Sequence, residues 1–66
     1  MYKKGEFYKL NTPNNIGVVI KDTYIDSNDI RMFLVKDNEI IYNPTYYIKK
    51  EFIGEKIEGL KLELDM

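Results

Sequence analysis

The chain lacks the residue types that most often build catalytic and metal sites in small proteins. Its 66 residues include no cysteine and no histidine. Without cysteine there is no disulfide and no thiolate metal site, and without histidine the commonest ligand of zinc, copper and nickel is missing. Acid–base catalysis would have to rely on carboxylates or lysines, and Thr12, Thr23 and Ser27 have no histidine to activate them. We therefore predict a protein that is not an enzyme and uses no metal or cofactor.

Long apolar runs are also missing. No stretch approaches the ~20 residues that a membrane helix requires, and charged and polar side chains interrupt the segment that follows Lys3 and Lys4. We expect no signal peptide, no membrane span and a cytoplasmic location. A single domain of this length buries about 60% of its unfolded surface, so the core should be thin unless self-association supplements it.

The clearest strand signal is the run Asn14-Asn15-Ile16-Gly17-Val18-Val19-Ile20. A polar turn leads there into β-branched residues, which suit a pleated surface. We predict a strand over residues 16–21, preceded by a loop over residues 11–15 and by a first strand over residues 6–10. Gly17 inside the apolar run indicates a bulge or a close approach by another backbone.

A hairpin is predicted after the polar segment of residues 22–29. Residues 30–36 form its first strand, and Asp37-Asn38 can adopt the positive φ that a tight hairpin turn requires. Residues 39–42 form its second strand. Asn43-Pro44 should end that strand, because proline cannot donate a ladder hydrogen bond.

The last third of the chain is compatible with two structures. Residues 45–57 fit either a short helical turn, near residues 49–54, or a strand through Tyr46-Tyr47-Ile48, and Gly54 should break whichever forms. Leucines that alternate with charged residues over 60–64 predict a final half-buried strand. The expected core consists of Ile16, Val18, Ile20, Met32, Leu34, Ile40, Leu60 and Leu62.

The order of these elements suits a five-stranded, strongly curved barrel. Over residues 6–53 the chain resembles small SH3-like barrels, particularly those with KOW-type segments, where a strand and a loop lead into a glycine followed by alternating apolar residues. The resemblance is carried by Leu10, Asn15, Gly17, Val18 and Ile20. We therefore predict one all-β domain over residues 1–66, a small five-stranded antiparallel SH3-like barrel with at most one helical turn.

Aromatic residues are the main functional signal. Six tyrosines and three phenylalanines are many for this length, and tyrosine joins a large apolar face to a polar tip. In the SH3-like barrels that the chain resembles, tyrosines and acidic loops form peptide grooves. We predict a non-catalytic protein-interaction module, by analogy an accessory or inhibitor protein of the phage or mobile-element kind, that occludes a partner protein. The residues expected to touch the partner are Tyr8, Tyr24, Tyr42, Tyr46 and Tyr47.

Other interpretations stay open at this point. Ten basic and eleven acidic residues give a net charge of −1, which favours neither nucleic acid nor anionic lipid. A self-associating subunit would pair through residues 60–64. The same tyrosines would also suit the core and rim of a small barrel, and residues 22–29 fit a solvated loop better than a calcium site. A KOW-like nucleic-acid-binding domain would instead use Lys9, Lys21, Arg31, Lys49 and Lys50.

Overall fold

The computed structural model describes residues 1–11 and 15–64. They form one antiparallel sheet of five strands in the order β4-β3-β2-β1-β5, so that β4 and β5 are the outer strands. One turn of 3₁₀ helix connects those two. The elements are β1 Glu6–Leu10, β2 Ile16–Val19, β3 Asp29–Lys36, β4 Glu39–Lys49, the 3₁₀ turn Lys50–Phe52 and β5 Ile53–Lys61. The prediction of an all-β domain with at most one helical turn is confirmed for the described residues.

Elements that depend on local sequence chemistry match the prediction. β1 has the predicted bounds, and β3 begins one residue earlier than predicted. Asp37 and Asn38 have φ angles of 51° and 64°, the positive values expected for the hairpin turn. The predicted loop over residues 11–15 falls mainly on residues 12–14, which lie outside the described part of the chain.

The prediction that Asn43-Pro44 ends the fourth strand is wrong, because β4 continues to Lys49. Proline is tolerated in an outer strand, where its missing N–H need not face a neighbour. The ladder with β3 is also interrupted here. Met32 faces Tyr46 whereas Leu34 faces Ile41, so that residues 42–45 bulge opposite Phe33 alone.

Two glycines lie where the sheet brings other atoms close. β2 keeps a continuous register with both neighbours, so Gly17 is not in a bulge. A Cβ at Gly17 would stand 2.8 Å from the sulfur of Met32, so the close approach is by a side chain rather than a backbone. The expectation that Gly54 breaks an element is wrong. Gly54 lies within β5, where a Cβ would stand 3.1 Å from the Lys9 carbonyl oxygen.

The sheet carries a buried cluster on each face. Val18 and Val19 are both fully buried, and neighbouring residues of a strand point to opposite faces. One cluster contains Tyr8, Val19, Ile30 and Met32. The other contains Val18, Ile20 and Phe33. The core prediction is therefore confirmed for Val18, Ile20 and Met32, and Val19 is a core residue that the prediction did not include.

The predicted core position of Leu60 is wrong, because its side chain is 49% exposed. The register between β1 and β5 shifts twice, and Gly59 adopts a φ of 83° beside Leu60. The regular alternation predicted for residues 60–64 therefore does not form. β5 ends at Lys61, and Leu62 packs on the second cluster after the strand. The remaining predicted core residues, Ile16, Leu34 and Ile40, are half-buried.

Candidate functional site

The floor of the candidate site is one face of β3. Arg31 and Phe33 lie two residues apart on this strand, so their side chains share a face. Phe33 is buried, whereas Arg31 is exposed. The N–H of Ile20, just after β2, donates to the Arg31 carbonyl oxygen at 3.0 Å. Ile20 and Phe33 both belong to the second buried cluster, so the floor of the site is continuous with that cluster.

β4 forms one wall and fixes the arginine. Tyr47 faces Arg31 across the ladder, and the guanidinium carbon stands 5.7 Å from the Tyr47 ring centroid, a cation–π distance. Arg31 Nε–H donates to Thr45 Oγ1 at 3.3 Å. Further along, the Tyr42 and Phe33 rings meet edge to face, with centroids 5.0 Å apart. These contacts fix Arg31 against Tyr47 and Thr45 and fix Tyr42 against Phe33.

The loop between β2 and β3 forms the other wall. Thr23 and Tyr2 exchange two backbone hydrogen bonds of 2.8 Å, and Asp22 Oδ1 accepts the Lys4 N–H at 2.7 Å. Ser27 N–H donates to the Tyr24 carbonyl oxygen at 3.0 Å, closing a turn. The N-terminal segment thus anchors the base of the loop, while the Tyr24 side chain stays 70% exposed.

The floor and the two walls enclose two adjoining hollows with volumes of about 590 and 420 Å³. Both hollows are lined by Lys21, Asp22 and Arg31, so they form one continuous surface. We call this surface the Arg31 groove. Its lining consists of Lys4, Ile20, Lys21, Asp22, Thr23, Tyr24, Ser27, Asp29, Arg31, Phe33, Tyr42, Thr45 and Tyr47.

Three of the five tyrosines predicted to touch a partner meet in this groove, namely Tyr24, Tyr42 and Tyr47. Tyr46 does not, because it faces the core residue Met32 across the ladder and lies on the opposite face of the sheet. Tyr8 is buried in the first cluster. We therefore leave Tyr8 out of the candidate surface and treat Tyr46 as a residue of the other face.

The five cations of the nucleic-acid alternative do not form one surface. Lys21 and Arg31 line the groove. Lys9 is exposed on β1. Lys49 and Lys50 lie around the end of β4, in a hollow with Asn28, Asp29 and Glu51. The structure thus places Lys21 and Arg31 in the groove and leaves the other three outside it, although Lys49 lines a separate hollow beside Tyr47.

Phe33 and Thr45 are site residues that the sequence analysis did not single out. Residues two positions apart on a strand share a face, so the position of Phe33 beside Arg31 could have been inferred from the sequence. Nothing local in the sequence marked Thr45, whose contact with Arg31 depends on the register of β4.

A second polar cluster joins β1 to β5. The Glu6 carboxylate accepts hydrogen bonds from Lys3 N–H at 2.9 Å and from the Tyr8 hydroxyl at 3.1 Å, and Lys56 Nζ lies 2.9 Å away. Partial burial opposes ionisation of Glu6, but these partners outweigh it and lower its pKa below 4.5. Burial and the bond to Glu6 raise the pKa of Tyr8 to about 12. An ionised Glu6 carboxylate and a protonated Tyr8 hydroxyl near neutral pH are suited to a structural link between β1 and β5.

Two other kinds of site, a metal site and a membrane-spanning helix, are not found among the described residues. Within residues 1–11 and 15–64, no group of three or more acidic side chains is placed to hold a metal ion. The same part of the chain has no helix of the length and apolarity needed to span a bilayer.

Comparison of the chain with protein-family models, with curated proteins and with solved structures finds no match.

Proposed function

We propose that the protein is a non-catalytic protein-interaction module that docks a partner protein in the Arg31 groove and occludes part of its surface, as an accessory or inhibitor protein does. The observation that carries the proposal is the convergence of Tyr24, Tyr42 and Tyr47 around Arg31. We further infer an SH3-like barrel, with a cytoplasmic location. The five antiparallel strands and the 3₁₀ turn before the last strand support that architecture.

Residue type and exposure both favour binding at this surface. Tyrosine and arginine are the residues most enriched at the energetic centres of protein interfaces. Tyr47 is 68% exposed and Tyr42 is 56% exposed, although each is braced by a neighbour on the floor. A braced aromatic ring loses little conformational entropy when a partner covers it. Single exposed apolar residues are ordinary, whereas a braced cluster indicates an interaction surface.

The test compares two adjacent tyrosines on opposite faces of β4. The immobilised chain captures proteins from its native host, and each purified candidate is titrated by calorimetry against the wild type, Tyr47→Ala and Tyr46→Ala. We expect Tyr47→Ala to weaken binding about 30-fold, the effect of losing an interface centre worth about 2 kcal/mol. Tyr46→Ala should change affinity by less than about threefold. Equal effects, or a larger effect of Tyr46→Ala, would contradict the proposal.

The second candidate function is nucleic-acid binding, and the observation that favours it is the joint presence of Lys21, Arg31 and aromatic rings in one groove. Labelled RNA and duplex DNA titrated at two salt concentrations provide the test. Phosphate-driven binding weakens steeply with salt. Salt-sensitive micromolar binding would favour this candidate, and no binding at low salt would remove it.

Self-association is favoured by one observation, the 49% exposure of Leu60 on the outer strand β5. Leu62 and Leu64 pack on the second cluster instead, so they are not free to form an association surface. A molecular mass that stays monomeric across a concentration series would count against this candidate.

A further inference from the structure

We propose that the partner segment held by the Arg31 groove is an acidic peptide, with one carboxylate bound by Arg31 and Lys21 and an adjoining apolar side chain seated on Phe33 and Tyr42. This inference rests on the proposed function, because it names the chemistry of the partner at the same site. It is argued from charge, from the placement of the guanidinium and from the walls of the larger hollow.

The charge of the larger hollow favours an anion. The ion pairs found among the described residues involve Lys56, and neither Lys21 nor Arg31 takes part in one. Of the described residues that line the larger hollow, Asp22 is the only carboxylate. One of its oxygens already accepts the Lys4 N–H at 2.7 Å. Lys4, Lys21 and Arg31 thus line this hollow with one carboxylate among them, so the described lining carries an excess of positive charge.

The guanidinium of Arg31 is placed to receive a carboxylate end-on. Its Nε–H is used by Thr45, and the group lies over the Tyr47 ring. The two terminal NH₂ groups are then the donors left for a ligand, and their spacing matches the two oxygens of a carboxylate. Because two contacts already hold the side chain, binding costs less conformational entropy than it would for a free arginine.

One part of the lining of the same hollow is apolar. Ile20 and Phe33 form its buried base, and the Tyr42 ring rises beside them. A side chain next to the bound carboxylate would cover these rings and remove apolar surface from water. The hollow therefore suits an acidic residue with an apolar neighbour, which is a feature of peptides.

The distribution of the other charges favours a peptide over a nucleic acid. A phosphate backbone gains affinity from a row of cations. Asp29 lines the smaller hollow, and Lys49 lies outside both hollows of the groove. A strand of phosphates running along the groove would thus pass Asp22 and Asp29, whereas a single side-chain carboxylate needs only the cations Arg31 and Lys21 beside it.

The test uses three probes and ¹⁵N-labelled protein. The probes are the acetylated and amidated peptides Glu-Glu-Leu-Glu-Glu and Gln-Gln-Leu-Gln-Gln, and an eight-nucleotide oligothymidylate. We expect the acidic peptide to shift the amides of Arg31, Phe33 and Tyr42 and to bind about tenfold more tightly than the neutral peptide. Arg31→Gln should weaken it by about tenfold or more, Arg31→Lys by several-fold, and the control Lys49→Gln by less than about twofold.

Each other outcome overturns the inference. Equal binding of the neutral peptide at these amides would leave a docking surface without acidic specificity. Tighter binding of the oligothymidylate at equal ionic strength would assign the groove to nucleic acid. No shift in the groove with any probe would also reject an acidic ligand. The partner titration with Tyr47→Ala is a separate measurement, so the proposed function can stand or fall independently of this one.

Discussion

Replacing Gly5 with alanine is expected to destabilise the protein strongly, whereas the same change at Gly59 should have a smaller effect. Both glycines have positive φ angles, +90° at Gly5 and +83° at Gly59, which side chains with a Cβ rarely adopt. They differ in their surroundings. A Cβ at Gly5 would overlap the Leu62 carbonyl oxygen, whereas a Cβ at Gly59 would have no atom within 4 Å. A comparison of the two variants therefore separates the effect of backbone strain on stability from the effect of steric overlap.

The contacts of Gly5 set the size of the difference. Backbone strain costs each variant about 1–2 kcal/mol. At Gly5 the overlap must also displace backbone that is hydrogen-bonded on both sides, since Gly5 N–H donates to Val19 and Gly5 accepts from Leu62, both at 2.8 Å. Weakening these two bonds costs about 1 kcal/mol each. We therefore expect a loss of about 3–4 kcal/mol for Gly5→Ala and about 1–2 kcal/mol for Gly59→Ala.

Urea titration followed by circular dichroism and tyrosine fluorescence measures both losses. A domain of this size has a free energy of unfolding of about 3–10 kcal/mol, so Gly5→Ala should lose about a third of it or more and unfold at a much lower urea concentration. Gly59→Ala should unfold cooperatively with a lower midpoint and an unchanged slope. If the two variants differ by less than about 0.5 kcal/mol, the close approach of Gly5 to Leu62 is not a determinant of stability and the reasoning fails.

Three further predictions concern the core, the polar tie and the hairpin turn. Gly17→Val should lower the free energy of unfolding by about 1–3 kcal/mol, because the new side chain overpacks Met32. In urea titrations, the double variant with Gly17→Ala and Met32→Ala should lose less stability than the sum of the two single variants. Glu6→Gln should lower the free energy of unfolding at pH 7. The difference in free energy from the wild type should shrink as the pH falls below 4.5, because a carboxyl group whose pKa is lowered by folding stabilises the folded state only while it is ionised. Glu58→Gln, at an 84% exposed side chain, is its control across the same pH series and should show little effect. Asn38→Gly should raise the thermal midpoint slightly and Asn38→Val should lower stability by about 1–2 kcal/mol, because the φ of 64° suits glycine and opposes a β-branched residue.

Elements whose cause lies within a few residues were predictable from the sequence. The β1 strand and the Asp37-Asn38 turn follow from alternation and from the tolerance of Asp and Asn for positive φ. The 3₁₀ turn Lys50–Phe52 falls inside the stretch for which a short helical turn or a strand was left open. In each case the deciding interaction is local.

The errors concern features that depend on distant parts of the chain. Pro44 is accepted because β4 happens to be an outer strand, and no local pattern shows which strand is outermost. Val19 is buried because residues from distant strands cover both faces of β2. Leu60 is exposed because β5 shifts its register against β1. Pairing order and register decide all three, and both depend on strands that are distant in the sequence.

The candidate site divides in the same way. Strand parity alone separates Tyr46 from Tyr47 and places Arg31 on the face of Phe33. Parity does not bring Tyr24 or Tyr42 to that face. Tyr24 arrives through a loop that is anchored by the N-terminal segment, and Tyr42 arrives through the interruption of the β3–β4 ladder.

That interruption links the irregularity of β4 to the proposed binding surface. If the pairing of Met32 with Tyr46 continued regularly, Leu34 would face Pro44 and Tyr42 would face Lys36, near the hairpin turn. The observed ladder instead pairs Leu34 with Ile41, which leaves Tyr42 free to meet the Phe33 ring at 5.0 Å. The bulge also places a proline on the outer strand, where it blocks unwanted pairing with other chains. One local departure from regular pairing thus protects the edge of the sheet and builds the apolar wall beside Arg31.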